Sequence, residues 1–214
     1  MFSGLFSANN SPSAKIIRKR VLSYEKLERR EVFSADPFLA TDGTLIRDHH
    51  YPKDPDLVEL LPGVPAALQR LVAAGYVLVV ITNQSGIARG QLTETDYEAV
   101  RARLDDLLLA QGVRLDASYH CPHETSISGP CECRKPGTGM HRQAARALGL
   151  DLAHSVSVGD RWRDVAPALE LGFRGWLVPS HNTPDADIER ARGLEVLQAS
   201  LDAVVTLVLE PSGG

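Results

Sequence analysis

Six consecutive apolar residues, Tyr76-Val77-Leu78-Val79-Val80-Ile81, constrain the fold more than any other segment. A short β-branched run without polar alternation suits a strand buried on both faces. Such strands belong to parallel sheets enclosed by helices. Upstream, Val64, Leu68, Leu71 and Val72 share one helical face that Gly75 closes. Downstream, Thr95 and Glu98 have the spacing of a capping box, and Tyr97, Val100, Leu104, Leu107 and Leu108 form an apolar stripe ended by Gly112. Further helices are expected near 139–148 and 163–171, and strands near 154–158 and 174–178. Val204 to Leu209 reads as a final strand, although the same apolar run would equally suit a helix end. This alternation predicts one α/β domain, a parallel sheet with helices on both faces, and ligands at the carboxyl ends of the strands.

A chain of 214 residues suits one such domain with modest extensions. Its formal charge of −4 is unevenly spread: residues 1–35 hold seven Lys or Arg against three Glu, and the remainder 16 basic against 24 acidic residues. The acidic body argues against nucleic acid as a partner. Residues 9–13 read as loop, 16–32 as a short basic helix, and 1–35 as a poorly structured basic extension before a domain spanning 36–214. No stretch reaches the ~20 apolar residues of a membrane span, and the basic amino-terminal segment lacks the apolar run of an export signal. Three cysteines within 121–133 suit metal ligation in a reducing compartment, so a cytoplasmic monomer is expected.

Several loops after the expected strands carry chemistry. Thr82-Asn83-Gln84-Ser85-Gly86 places a hydroxyl and backbone amides where phosphate oxygens can be held. Cys121-Pro122-His123 and Cys131-Glu132-Cys133 offer three thiolates and an imidazole, a closed tetrahedral zinc set of the structural kind. His120 beside it is expected to pack. Arg134-Lys135 lies just before a helix start, where the macrodipole disfavours cations unless an anion joins them. Gly159-Asp160-Arg161-Trp162-Arg163-Asp164 alone suggests no more than helix capping, and Asp48-His49-His50-Tyr51 alone no more than a surface loop.

Taken in order with Asp42-Gly43-Thr44, these segments resemble the haloacid dehalogenase (HAD) phosphatases over roughly residues 38–182. Thr82 to Gly90 resembles a signature of the bacterial D-glycero-D-manno-heptose 1,7-bisphosphate phosphatases of that superfamily. The resemblance implies a HAD-like Rossmannoid sheet with a minimal cap and a zinc-stapled loop, and Mg²⁺-dependent hydrolysis of a sugar phosphate. It assigns acid/base work to Asp42 and phosphoryl stabilisation to Thr82 and Lys135. Substrate contacts fall to Asp48, His49, His50, Tyr51, Asn83, Gln84, Ser85, Arg134 and Arg161. Asp42 and Asp160 would ligate Mg²⁺ with Asp164 in support, and Cys121, His123, Cys131 and Cys133 would hold structural zinc. The histidinol phosphatases share the Asp-Gly-Thr and zinc features, but carry Asn-Gln-Asp-Gly where this chain has Asn-Gln-Ser-Gly at 83–86.

One position departs from the family pattern. Ala40 stands where the resemblance calls for the aspartate that attacks phosphorus and ligates Mg²⁺, and a methyl group does neither. Asp36 lies four residues upstream, about 13 Å along a strand, and Thr41 should face the other side of the sheet, so neither replaces it. Asp36-Pro37 also interrupts what should be an apolar central strand and shortens it to about 38–41. A single engineered substitution would not explain that break, which favours natural divergence. The alternative expectations are therefore a sugar-phosphate-binding pseudo-phosphatase, or a phosphatase of histidinol phosphate.

Overall fold

The computed structural model describes residues 15–19, 36–49 and 52–210. In chain order the elements are β1 (Lys15–Lys19), β2 (Pro37–Leu39), α1 (Val64–Ala73), β3 (Val79–Asn83), α2 (Glu94–Ala110) and β4 (Ala117–Cys121). They continue with α3 (Thr125–Ser128), α4 (Gly139–Leu148), β5 (Val156–Gly159), α5 (Trp162–Leu171), β6 (Arg174–Leu177), α6 (Asp185–Gly193) and α7 (Leu201–Leu209). The six strands form one sheet in the order β1-β4-β3-β2-β5-β6. All neighbours are parallel except β1, which runs antiparallel to β4.

The apolar run at 76–81 does what its composition predicts. Leu78 and Val80 enter one apolar layer with α1, α2 and α7, while Val77, Val79 and Ile81 enter the opposite layer with α4. Phe38 and Leu39 divide the same way, as the period-two geometry of a strand requires. On the second face His141 is fully buried, edge-on to Phe38 at 5.0 Å, and neither ring nitrogen has a hydrogen-bond partner among the described residues. Burial, reinforced by the nearby Lys135 ammonium, holds its pKa down to about 3, so the ring is neutral.

The break at Asp36-Pro37 is accommodated at the amino edge of the sheet. β2 is three residues long, and Pro37 sits at its first position, where a missing donor is tolerated. The buried Asp36 carboxylate accepts the Val77 amide at 3.0 Å, and the buried Asp116 carboxylate accepts the Leu78 amide at 3.0 Å. Two backbone donors that a longer β2 and β4 would have satisfied are thus met by side chains, and β3 begins at Val79 instead of Tyr76.

Three local expectations need correction. Lys15–Lys19 is a strand, paired from Lys15↔His120 to Lys19↔Ala117, not the start of a helix; covering the edge of β4 outweighs a weak local helical preference. The remainder of the expected 16–32 helix and the 9–13 loop lie outside the described residues. The capping box falls two residues earlier: Thr93 Oγ1 accepts the Asp96 amide (3.1 Å) and Asp96 accepts the Thr93 amide (2.7 Å). Residues 201–209 form a helix capped by Ser200, because Leu201, Val204, Val205 and Val208 have i, i+3, i+4, i+7 spacing and bury one face.

Candidate active site

The motif-bearing loops follow β2, β3, β4 and β5 at the carboxyl edge of the parallel strands. After β2 the chain turns sharply: the Ala40 amide donates to the Val158 carbonyl (2.9 Å), and the Thr41 carbonyl accepts the Leu45 and Ile46 amides (2.8 and 3.1 Å). Gly43 has φ +73°, and a Cβ there would lie 2.3 Å from Asp160 Oδ2. Glycine is what lets the loops after β2 and β5 meet. Asp42 thereby stands beside Asp160. Burial, then the Asp48 and Asp160 charges, push its carboxyl up to about 6; Lys135 works against that shift. The Gln84 amide donates to Thr82 Oγ1 (3.2 Å) and reaches Asp42 Oδ2 at 3.5 Å.

Lys135 is the buried cation of this constellation. Its ammonium donates to the Ile81 carbonyl (2.6 Å) and lies 2.6 Å from Asp164 Oδ1. Its backbone is clamped by Asn83, whose amide donates to the Lys135 carbonyl and accepts from its N–H, both at 3.0 Å. Asn83 thus spends both ends of its side chain positioning Lys135, although it also borders the cleft. Asp164 Oδ2 accepts the Arg161 amide (3.1 Å), so one carboxylate ties the first turn of α5 to Lys135. Burial and the Asp164 charge raise the Asp160 pKa, and a hydrogen bond from Ser180 opposes the rise.

The loop after β6 carries partners that no motif announced. Ser180 Oγ donates to Asp160 Oδ2 (2.6 Å), Thr183 Oγ1 to the Asp160 carbonyl (2.8 Å), and the Asn182 amide to Asp48 Oδ2 (3.1 Å). The available signal was positional, namely hydroxyl and amide residues just past a parallel strand. A cleft of about 200 Å³ is lined by Asp42, Asp48, Asn83, Gln84, Ser85, Arg134 and Arg161, and also by Arg163, which the sequence reading had not singled out. Thr82, Lys135, Asp160 and Asp164 are buried beside it. His49 is exposed and is not part of that lining, while His50 and Tyr51 lie outside the described residues.

A second cluster sits at the end of β4. The ligand atoms of Cys121, His123, Cys131 and Cys133 all lie within 4.8 Å of one another. The Sγ–Sγ separations are 3.2, 3.4 and 3.7 Å, and His123 Nδ1 lies 3.2 Å from Cys133 Sγ. A tetrahedral ion with bonds of about 2.3 Å would put its ligands roughly 3.8 Å apart, close to these values. A hydrogen bond with the Cys121 sulfur, then burial, pushes the Cys133 thiol up, whereas a bound cation would favour the thiolate. The same loop orients Arg134. Its Nη1 donates to the His123 carbonyl (2.9 Å), and its Nη2 lies 3.3 Å from a Glu124 carboxylate that Arg89 also holds at 2.7 Å. His120, expected to pack, stacks its buried ring 4.3 Å from Tyr97 and places Nε2 2.8 Å from Glu94.

Comparison with known proteins agrees with this architecture. Residues 38–165 match the family model described as polynucleotide kinase 3 phosphatase, and residues 132–206 the HAD-hydrolase-like model. The chain is 44% identical over 169 residues to the D-glycero-beta-D-manno-heptose-1,7-bisphosphate 7-phosphatase of Pasteurella multocida, covering 77% of this chain and 92% of that protein. It is 42% identical over 137 residues to the Escherichia coli K12 protein of the same name, covering 62% and 72%. The crystal structure of D,D-heptose 1,7-bisphosphate phosphatase from B. bronchiseptica, complexed with magnesium and phosphate, superposes with a TM-score of 0.73. Its identity is 34%, over 81% of this chain and 98% of that one. The acid-and-lysine cleft on a HAD-like sheet and this degree of identity lead to one conclusion: the chain belongs to the D-glycero-beta-D-manno-heptose-1,7-bisphosphate 7-phosphatase family and is, by family, a phosphoric monoester hydrolase.

Proposed function

We propose that the chain binds a heptose 1,7-bisphosphate in this cleft and releases its 7-phosphate slowly, because Ala40 occupies the nucleophile position. The observation that carries this reading is a phosphoryl-handling constellation left around a methyl group: Asp42, Asp160 and Asp164 with the buried Lys135 ammonium. Lys135 and Thr82 would neutralise and orient the transferring phosphoryl group. Asp48, Gln84, Ser85, Arg134 and Arg161 would contact the sugar phosphate.

The donor set suits a hard divalent cation. Asp42 and Asp160 are oxygen ligands that repel one another in a buried setting, as the raised pKa of each reflects. Asp42, Asp160 and, in support, Asp164 would hold Mg²⁺, although position 40 contributes no oxygen and the set is one carboxylate short. When bound, Mg²⁺ supplies charge neutralisation at the phosphoryl oxygens. Zinc fits the four-ligand cluster, which leaves no open position and so serves structure. We place the protein in the cytoplasm, where its thiols stay reduced. The catalytic body runs from 36 to 214, and the basic segment before it contributes the edge strand.

With no carboxylate at position 40, the aspartyl-phosphate route is closed. The remaining route is direct attack by water: its oxygen bonds phosphorus as the bond from phosphorus to the C7 oxygen breaks. Asp42 takes the proton of the water and supplies one to the departing alkoxide. An Asp42 pKa near 6 suits both halves of that exchange. The same geometry favours a second reading, a sugar-phosphate-binding protein without useful turnover, because Ala40 removes chemistry while leaving the recognition groups in position.

Phosphate release and calorimetric binding decide between them. Heptose 1,7-bisphosphate and histidinol phosphate should be offered to the native chain and to Ala40→Asp. The native chain should bind the heptose ester with slow release, and Ala40→Asp should raise turnover by about 10⁴-fold. Turnover in the native chain equal to that of Ala40→Asp, or a preference for histidinol phosphate, would overturn the proposal. Binding with no gain from Ala40→Asp would select the second reading.

A further inference from the structure

The turn after β6, Ser180 to Thr183, is braced from within and pinned to the loop after β5. The Ser180 backbone amide donates to Thr183 Oγ1 (2.8 Å), that of Thr183 to the Ser180 carbonyl (3.2 Å) and that of Asn182 to Ser180 Oγ (3.2 Å). Both hydroxyls then donate to Asp160, at its Oδ2 (2.6 Å) and its carbonyl (2.8 Å). The Asn182 side chain therefore starts from a fixed place. Its Nδ2 donates to Asp48 Oδ2 across 3.1 Å, joining residues 134 positions apart in the chain. Asp48 is steadied on its other flank, where the Arg47 amide donates to the Glu59 carbonyl (3.0 Å) and Ile46 bridges Leu60. One side-chain amide thus ties the loop after β2 to the turn after β6.

Asp48 lines the cleft, yet a carboxylate is an odd neighbour for a phosphate. When ionised it only accepts hydrogen bonds, and it repels a dianion, so the groups of a sugar phosphate that it can serve are the hydroxyls. We infer that Asn182 is a positioning residue that aims Asp48 at the hydroxyls of the bound sugar, and so sets recognition of the sugar apart from recognition of its phosphate. The inference deepens the function proposed above and rests on it. Asn182 is not part of the cleft lining, so it acts through Asp48 and not by touching the ligand. By taking Oδ2 it fixes the plane of the carboxylate. Released from that hold, Asp48 can rotate toward the cationic side chains of the cleft, where it competes with the phosphate and no longer meets a hydroxyl.

Calorimetric titration of the full chain with Mg²⁺ present tests this, using heptose 1,7-bisphosphate and, separately, inorganic phosphate, which has no sugar hydroxyl. The proteins are the native chain, Asn182→Ala and Asn182→Asp. The last keeps the shape of the side chain but offers Asp48 no donor. Losing a hydrogen bond to a charged group costs about tenfold in affinity. Asn182→Ala should therefore bind the heptose ester about tenfold more weakly than the native chain, with phosphate affinity unchanged. Asn182→Asp should weaken the heptose ester at least as far. Equal weakening of both ligands by Asn182→Ala would mean that Asn182 only supports the fold, and overturns the inference. So does heptose-ester affinity that either substitution leaves at the native level, a result that refutes this inference alone. If the native chain does not bind the heptose ester at all, the proposed function falls and this inference with it.

Discussion

Replacing Asp42 by asparagine should make this protein more stable, and the gain should depend on pH in a way the site itself specifies. A carboxylic acid whose folded pKa stands above its unfolded value stabilises the fold when protonated, and loses that advantage as pH rises through the folded pKa. For Asp42 the span runs from 3.8 to about 6, caused first by burial and then by Asp48 and Asp160. At 1.36 kcal/mol per pKa unit the ionised form costs about 3 kcal/mol above pH 6. The carboxylate opens partly onto the cleft, so solvent screening brings this to about 2 kcal/mol. Asparagine keeps the shape and carries no charge. In chelator, urea denaturation should find Asp42→Asn about 2 kcal/mol more stable at pH 7.5, or roughly 4–8 °C higher in Tm for a chain of this size. The difference should shrink between pH 6 and 4 and vanish below pH 4, where Asp42 is protonated whether folded or unfolded. An Asp42→Asn protein no more stable at pH 7.5, or a difference that does not change with pH, would refute the account of the site as a cluster of mutually repelling acids.

Two further outcomes are expected. Elemental analysis should find one zinc per chain; Cys131→Ser should lose it at a cost above about 4 kcal/mol in stability, with weakened heptose-bisphosphate binding as Arg134 loses its anchor at His123. Zinc present at full occupancy in Cys131→Ser would contradict the ligand set. His141→Leu should stabilise the fold by about 1–2 kcal/mol at pH 7 by removing two unpartnered buried nitrogens. The gain should grow as pH falls below 6.5, because a histidine whose folded pKa lies near 3 loses stability as pH drops. A melting temperature lowered by His141→Leu would mean that ring packing against Phe38 outweighs the unmet polar groups.

The parts of the fold legible in the sequence were those whose hydrophobic period was unambiguous. Val77 to Ile81 sorted between two layers, the α2 stripe at Tyr97, Val100, Leu104 and Leu108 was buried, and Gly139–Leu148 formed the helix expected there. What failed was local pattern matching where tertiary contacts decide. Thr95 and Glu98 have capping-box spacing, but Thr93 precedes the helix and takes the cap. β4, Ala-Ser-Tyr-His-Cys, lacks an apolar run because Ser118 and His120 face polar partners or rings, so it went unseen. At the site, Asp42, Gln84 and Lys135 were legible because they stand in compact strings next to strand ends. Ser180, Asn182, Thr183 and Arg163 were not, since a lone hydroxyl, amide or arginine has no spacing to betray it.

The strand order has a consequence for synthesis. β2 is central, yet its two neighbours are β3, at residues 79–83, and β5, at 156–159; β1 pairs with β4, at 117–121. A nascent chain thus carries its central strand, with the buried Asp36 carboxylate, for about 120 residues before the second partner leaves the ribosome. At ~5–20 residues per second that interval lasts several seconds. Few of these pairings are local, so β2 gains its second neighbour late, with β5, and the core is complete only when α7 follows. Until β5 arrives β2 has one side open, and its brevity, a proline at its start and an acid before it make it a poor template for another chain. The interruption that shortens the strand in the finished molecule therefore protects the unfinished one from pairing with its neighbours.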